Sequence, residues 1–310
     1  MSSKRLILII ACYNKANLKK RESMKVSGFT FIRNGTSLGY PFIESIKSIL
    51  PICDEFIIAI GKSEDDTLNK ILALRSKKIK IIETLWNENI SDRGFVYAQQ
   101  KMIAQYNCSG DWAFYLEGDE IIDSKDHKKL LSNLRYYLNN KTIEALAFKY
   151  HHFYGSPDWL AFSPRWYRKE CRIIRNTLRS WDPDSLYFLV MDKNKKGRYP
   201  RAKVLDIPIY HYGHVRKTIF MNKKVNQVGK FWGHNHPKFT RYSIDPKSLK
   251  KFNGKHPPIV KGWLENFAEK NYIPDVHYKP SMRDLRHRIM MKVESIFNLD
   301  LTKKHFKLVK

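Results

Sequence analysis

Three carboxylates fall within four residues at Glu117-Gly118-Asp119-Glu120, directly after the apolar run Trp112-Ala113-Phe114-Tyr115-Leu116. The run reads as a buried strand. Its interior has no use for such a cluster, so the acids belong at its carboxyl end, where open α/β sheets bind ligands. Glu117 and Asp119 are two residues apart and project to the same side of an extended backbone. Gly118 between them leaves room for a ligand to approach. Such a pair suits a hard divalent cation that phosphate oxygens also hold. The plain alternative is a charged turn closing a surface strand.

A second group with possible chemistry is His211-Tyr212-Gly213-His214-Val215-Arg216, which follows an apolar segment and precedes a basic helical pattern. A single histidine is more often structural. Two of them flanking Tyr-Gly, beside Arg216, suggest contact with a diphosphate or a metal. The pair His234-Asn235-His236 has metal-like spacing but no nearby acid, and reads as a loop.

The elements that must position these residues alternate. Val26 to Ile32 reads as a strand ending in the turn Arg33-Asn34-Gly35. Pro41 opens a helical pattern with Phe42, Ile43, Ile46, Ile49 and Leu50 on one face. Strands are expected at Glu55 to Ile60 and Ile79 to Thr84, with helices from Leu68 to Leu74 and from Phe95 to Tyr106. Strand and helix alternate four times with short connections, which predicts an α/β, mainly parallel sheet with helices on both faces. Further strands are expected at Ala145 to His152 and Val204 to Tyr210, and residues 153–200 read as loop-rich. Helical patterns at 217–232, 258–269 and 281–298 make the last third a basic, mostly helical region. In the last of these, Leu285, Ile289, Val293 and Ile296 are expected to pack onto the core. Because a better organised start follows at Met24-Lys25-Val26, residues 1–24 read as an extension, 25–215 as the core and 216–310 as a basic extension.

The order of these elements, with Ser63-x-Asp65-x-Thr67 closing the second strand and Glu117-Gly118-Asp119-Glu120 closing the fourth, resembles family 2 glycosyltransferases of GT-A (Rossmann-like) fold. The likeness covers roughly residues 25–125. Phe153-Tyr154-Gly155-Ser156, Arg172-Ile173-Ile174-Arg175-Asn176 and His211-Tyr212-Gly213 resemble a bacterial surface-glycan subgroup. The resemblance implies a nucleotide-sugar donor (a UDP-sugar), Mg or Mn, and single-displacement transfer with inversion. Glu117-Gly118-Asp119 stands where the family has Asp-x-Asp, so Asp119 would bind the metal and Glu117 would face ribose or metal. Asn34, Ser63 and Asp65 would lie near the nucleotide, with Arg93, Arg172, Arg175 and His211 as further donor contacts; His211 is also a metal candidate. The two arginines at 172 and 175 read equally well as a solvated strand face.

Transfer to a hydroxyl needs a carboxylate to take its proton. Candidates are Asp184, Asp182 and Asp158. Asp184 is preferred, because Asp184-Ser185-x-x-Phe188 falls where the family places its catalytic Asp, while Asp182-Pro183-Asp184 also reads as a plain turn. Trp159, Trp166, Tyr167 and Trp181 either stack on sugar rings or pack under the loops.

Composition bounds the partners. The 310 residues carry a net charge of +27. Residues 1–150 hold 23 Lys and Arg against 17 Asp and Glu, whereas residues 151–310 hold 34 against 13. The asymmetry points to an anionic partner. A glycan or glycolipid acceptor, with peripheral contact to an anionic membrane, fits it. A nucleic-acid or polyanion-binding protein without catalysis is the rival reading, but no nucleic-acid motif appears and none is expected to bind. A non-catalytic homologue that only holds sugar nucleotides is the third. The apolar run Leu6 to Cys12 is too short to span a membrane, and no targeting segment is read from it. Four scattered cysteines suggest no metal or disulfide frame, and a cytoplasmic location is expected.

Overall fold

The computed structural model describes residues 24–233 and 239–309; the apolar run before Met24 and the histidines at 234 and 236 lie outside the described residues. The chain order is β1 (Val26–Ile32), α1 (Phe42–Ile49), β2 (Glu55–Gly61), α2 (Thr67–Leu72), β3 (Ile79–Thr84), α3 (Phe95–Tyr106), β4 (Trp112–Tyr115) and β5 (Glu120–Ile122). There follow α4 (His127–Leu138), β6 (Ala145–Tyr154), β7 (Ser156–Ala161), β8 (Lys169–Arg175), the short β9 (Ser180–Trp181), β10 (Leu189–Met191) and β11 (Gly197–Arg198), and the long β12 (Arg201–His214). The last part holds α5 (Thr218–Trp232), β13 (Leu249–Lys251), α6 (Lys261–Phe267), α7 (Met282–Phe297) and β14 (Lys307–Leu308).

β3, β2, β1 and β4 lie side by side in that order and all parallel, a Rossmann-like half-sheet. Its strands are apolar on both faces because both faces are covered. Phe56, Ile58 and Ile60 of β2 join one core with Ile46 and Ile49 of α1 and Leu130 and Leu134 of α4. The alternate residues Ile57 and Ala59 join another with Ala104 of α3. The architecture is therefore the expected α/β sheet with helices on both faces. Beyond β4 the sheet continues through antiparallel β8, then β6, β7 and β13.

Residues 153–200 depart from the expected loops. They hold β7, β8 and a separate three-stranded sheet, β11-β10-β9. β12 also runs past Tyr210 to His214, so the His211 group lies inside a strand rather than after one. Cys53, Cys108 and Cys171 are free and buried.

Candidate functional site

The carboxyl ends of β1 and β4 open onto a cavity of about 360 Å³. After Tyr115 the chain turns: Leu116 O accepts from Thr30 Oγ1 (2.7 Å), Glu117 O accepts from Ser45 Oγ (2.9 Å), and Glu120 N donates back to Glu117 O (3.0 Å). Glu120 then starts β5, which pairs antiparallel with β12 so that Glu120 faces His211. Tyr212 N donates to Asp119 O at 2.8 Å. The same β12 pairs with β6 in a register that sets His211 beside His152. Strand pairing thus brings together two regions about ninety residues apart in sequence.

The three carboxylates have different surroundings. Glu120 is fully buried and accepts from Arg172 Nε and Nη2 (both 2.8 Å) and from Tyr150 OH (2.7 Å). It anchors Arg172 behind the site. Arg172 Nη2 also donates to Glu117 Oε1 at 2.8 Å. Glu117 keeps 24% of its side-chain exposure and lines the cavity. Burial, and after it repulsion from Glu120, raises its pKa above the usual carboxylate range. Asp119 Oδ2 accepts from Arg216 Nη2 (2.8 Å) and Lys224 Nζ (3.3 Å). Burial opposes its ionisation, but Lys224 and Arg216 outweigh it and hold the carboxyl far below its ordinary value. Lys224 in turn is pushed down to about 8, by burial and by the charge of Arg216.

The hydrogen-bond network assigns the state of the histidines. His152 Nε2 lies 2.6 Å from Tyr167 O, and a carbonyl only accepts, so that nitrogen carries the proton. Burial holds both His152 and His211 below the usual imidazole range, so both rings are neutral. His152 Nδ1 is then an acceptor for His211 Nδ1–H at 2.8 Å. This leaves His211 Nε2 bare. It faces Asp119 Oδ1 at 3.6 Å, one acceptor against another with no proton between them. Gly213 passes close to the ring, where a Cβ would fall 2.5 Å from that same Nε2.

These residues fit a metal ion. Glu117, Asp119 and His211 each offer one ligand atom, and the three atoms lie within 4.8 Å of one another. A cation placed there would satisfy both the bare imidazole nitrogen and the carboxylate oxygen opposite it. The partner of His211, His152, would act as the outer support that fixes the ligating tautomer.

Around this cluster the cavity is walled by Tyr40, Trp86, Tyr97, Tyr115, Trp166, Tyr167 and Trp232, with His214 and Lys224 as further polar faces. Of the four aromatic residues singled out in the sequence, Trp166 and Tyr167 line it. Trp159 packs with Ile244 and Leu249 on the β7 side, and Trp181 covers Gly197 in the small sheet.

The other candidates are dispersed. Asn34 adopts a left-handed conformation (φ 53°), which Asn tolerates; its Oδ1 accepts from Glu64 N and its N–H donates to Ser63 Oγ. Asp65 accepts from Ser37 N (2.7 Å) and Thr67 N (3.0 Å). Together these three tie the loop after β1 to the loop after β2, beside the cavity but not among its lining residues. Arg93 is exposed. Arg172 sits behind Glu117. Arg175 is at the opposite end of β8, where it donates to the carbonyls of Tyr137, Leu138, Asn140 and Ile143 at the end of α4. Asp158 lies on β7, its carbonyl accepting from Phe252 N at 2.7 Å.

The loop holding Asp182 and Asp184 forms one rim. Asp182 is fully buried in an ion pair with Lys101 of α3 and accepts from Asp184 N at 3.1 Å. Asp184 is half-buried and accepts from Leu186 N at 3.0 Å; its neighbours Ser185 and Leu186 line the cavity. Burial raises the Asp184 carboxyl.

Sequence reasoning missed Lys101, Lys224 and His152. Lys101 lies on an otherwise apolar or neutral buried helix face, a signal that a partner acid must exist. His152 shares the inward face of β6 with Tyr150, which the strand's period of two could have indicated. Nothing local distinguishes Lys224 from the other lysines of its helix.

No protein-family model and no curated protein matches the chain. Solved structures with partial likeness include TarS 1-349 of S. aureus, at 13% identity over 66% of this chain and 64% of that one, with a TM-score of 0.39. TarS 1-349 in complex with UDP follows at 16% identity, 64% and 62% coverage and a TM-score of 0.38. The glucosyl-3-phosphoglycerate synthase of Mycobacterium tuberculosis, in complex with Mn²⁺, UDP and phosphoglyceric acid, matches at 17% identity over 41% of this chain and 44% of that one, with a TM-score of 0.31. The match spans less than two thirds of each of these chains. No helix among the described residues is long and apolar enough to cross a membrane.

Proposed function

We propose that this chain is an inverting glycosyltransferase that moves a sugar from a nucleoside-diphosphate donor, a UDP-sugar, to a hydroxyl of a surface-glycan acceptor such as lipopolysaccharide or capsule. The observation that carries this reading is the bare His211 Nε2 opposite Asp119, beside Glu117, at the carboxyl end of parallel strands. The three groups face a cavity large enough for an organic ligand and lined with both aromatic rings and cations.

In this reading Glu117, Asp119 and His211 hold a divalent cation, and the imidazole in the set favours Mn²⁺ over Mg²⁺, which prefers oxygen ligands alone. A cation held there would neutralise charge building on the departing diphosphate. Lys224, 3.3 Å from Asp119, contributes to the same end, and Arg216 keeps Asp119 ionised. The aromatic walls stack on base or sugar. Removal of the acceptor proton falls to Asp184, on the rim, whose raised carboxyl makes it the better base. Asp182 is committed to Lys101 and serves to hold that rim in place. The acceptor class rests on the likeness of residues 153–156, 172–176 and 211–213 to the bacterial surface-glycan subgroup. In this division 25–215 holds the parallel strands, and the basic region from 216 onward adds β13 and β14 to the sheet and supplies Arg216 and Lys224 to the site.

The test is thermal unfolding against nucleoside diphosphates and their sugars, with and without Mn²⁺ or Mg²⁺. A ligand that binds only the folded state raises the midpoint by mass action. A metal-dependent rise with UDP and UDP-sugars supports the reading. A folded sample with no rise across the panel overturns it.

A further inference from the structure

Helix α7 is attached to the protein by its charges and turns its apolar residues to solvent. Ser281 and Asp284 form a capping box, and Asp284 also accepts from Tyr278 OH at 2.9 Å. Arg288 Nε and Nη2 donate to the two oxygens of Asp245 (both 2.8 Å). Glu294 accepts from Arg168 at 2.9 and 2.8 Å. On the other side, Met282 is 82% exposed, Ile289 65% and Ile296 73%. These three are seven residues apart and share one face. The expected stripe Leu285, Ile289, Val293 and Ile296 therefore does not pack onto the core as a unit: Leu285, Ile289 and Ile296 are exposed and Val293 is half-buried. The charged pairs took the inner face because Asp245, Arg168 and Tyr278 needed partners there.

The surroundings of the stripe are basic. Arg286 and Lys292, both exposed, stand three or four residues from Ile289 and Ile296 on the same side. Residues 281–310 hold eight Lys and Arg against three Asp and Glu. Each of those three acids is already held: Asp284 and Glu294 as above, and Asp300 by Lys169 at 2.7 Å. An apolar face with a cationic border matches a surface that is apolar beneath and anionic above.

We propose that α7 is a docking surface for an anionic lipid bilayer, lying in the interface plane with Met282, Ile289 and Ile296 between the acyl chains and Arg286 and Lys292 among the headgroups. Charge decides between this and the other occupants. A second copy would bring two like-charged surfaces together. The chain's own residues 1–23 carry six Lys and Arg against one Glu, and would do the same. The proposal does not depend on the reading of the cavity.

The experiment is sedimentation of the full chain with vesicles of pure phosphatidylcholine and of phosphatidylcholine mixed with phosphatidylglycerol. We expect binding to the mixed vesicles, little to the neutral ones, and release at high salt, where the screening length falls to about 3 Å at 1 M. The double variant Ile289→Gln/Ile296→Gln should bind the mixed vesicles about tenfold or more weakly. Its unfolding midpoint should be unchanged, because both residues are on the surface. Arg286→Gln/Lys292→Gln should weaken binding and flatten its salt dependence. Failure of the wild type to sediment with mixed vesicles overturns the proposal, as does unaltered binding by the Gln pair at 289 and 296. A dimer that these substitutions convert to monomer, without vesicle binding, would assign the face to a second copy. Binding that emerges only when residues 1–23 are deleted would assign it to that segment.

Discussion

The two ends of the central parallel strands are both rich in carboxylates, yet they treat them differently. At the amino end, Asp54 accepts from Val26 N (2.8 Å), Asp111 accepts from Lys25 N (2.8 Å), and Glu55 accepts from Ser27 Oγ (2.6 Å), Ser109 N (2.6 Å) and Lys80 Nζ (2.6 Å). Each acid there closes a strand start and is satisfied by donors. At the carboxyl end, Glu117 is raised by burial and by a neighbouring acid, Asp119 has both Arg216 and Lys224 beside it, and His211 presents a lone pair to an oxygen. The first arrangement is complete without a ligand. The second leaves His211 Nε2 and Asp119 Oδ1 facing one another at 3.6 Å, where they could hold one. Acid content alone therefore says little about function, whereas unmatched donors and acceptors around a cavity say a great deal.

Substitutions at the two ends should separate cleanly. Asp119→Asn keeps the shape and removes the charge. Metal-dependent nucleotide binding should be lost and transfer should fall about a thousandfold, roughly 4 kcal/mol of transition-state stabilisation. Retained metal dependence, followed by thermal shift and by turnover, would show that the carboxyl end is merely another charged turn. Glu55→Gln should do the reverse, lowering stability by about 2–3 kcal/mol, once the contribution of the exposed Lys80 is discounted for solvent screening, while leaving nucleotide binding intact. Burial opposes the ionised form of Glu55, but hydrogen bonds from Lys80, Ser27 and Ser109 outweigh it and bring its pKa down to about 2 from an ordinary 4.5. A depressed carboxyl stabilises the fold above its ordinary value and loses that contribution as pH falls from about 4.5 towards 2. The wild-type advantage over Glu55→Gln, measured by denaturant unfolding, should therefore shrink across that window; a difference constant with pH would refute the assignment. The smallest effect is expected at His152. His152→Leu should weaken Mn²⁺ affinity about 10–100-fold, read by Mn²⁺ electron paramagnetic resonance without nucleotide. His152→Asn, which keeps an acceptor for His211 Nδ1–H, should recover most of it. Equal affinities in the two variants would mean that the tautomer is set elsewhere.

Much of the frame could be read from the chain. β1, β3 and α3 run between the residues expected from apolar periodicity, because long, strongly patterned segments carry their own signal. The cluster at 117–120 was legible because three acids ending an apolar strand have few structural uses. What escaped is long-range. Asp182 reads as half of a turn until Lys101, 81 residues earlier, is found beside it. β7 and β8 were hidden by Pro, Arg and Trp among their short apolar stretches. The stripe on α7 was visible as a stripe, but periodicity gives a face without giving its direction. Only the partners of Asp284, Arg288 and Glu294 show which side is inward.

Arg216 has a consequence for how the protein is made. Its guanidinium, buried over the Tyr40 ring, donates to Asp119 across 97 residues and to Gly39 O across 177, and Trp263 Nε1 reaches the same Gly39 O across 224. A nascent chain emerging from the ribosome can pair β1 through β4 early, since those contacts are comparatively near in sequence. The acid that ends β4 then waits for its counter-charges while the chain to Arg216, 97 residues on, and Lys224, 105 residues on, is synthesised and packed. Competence is acquired late, and a translation product truncated before them would own a sheet without owning a site.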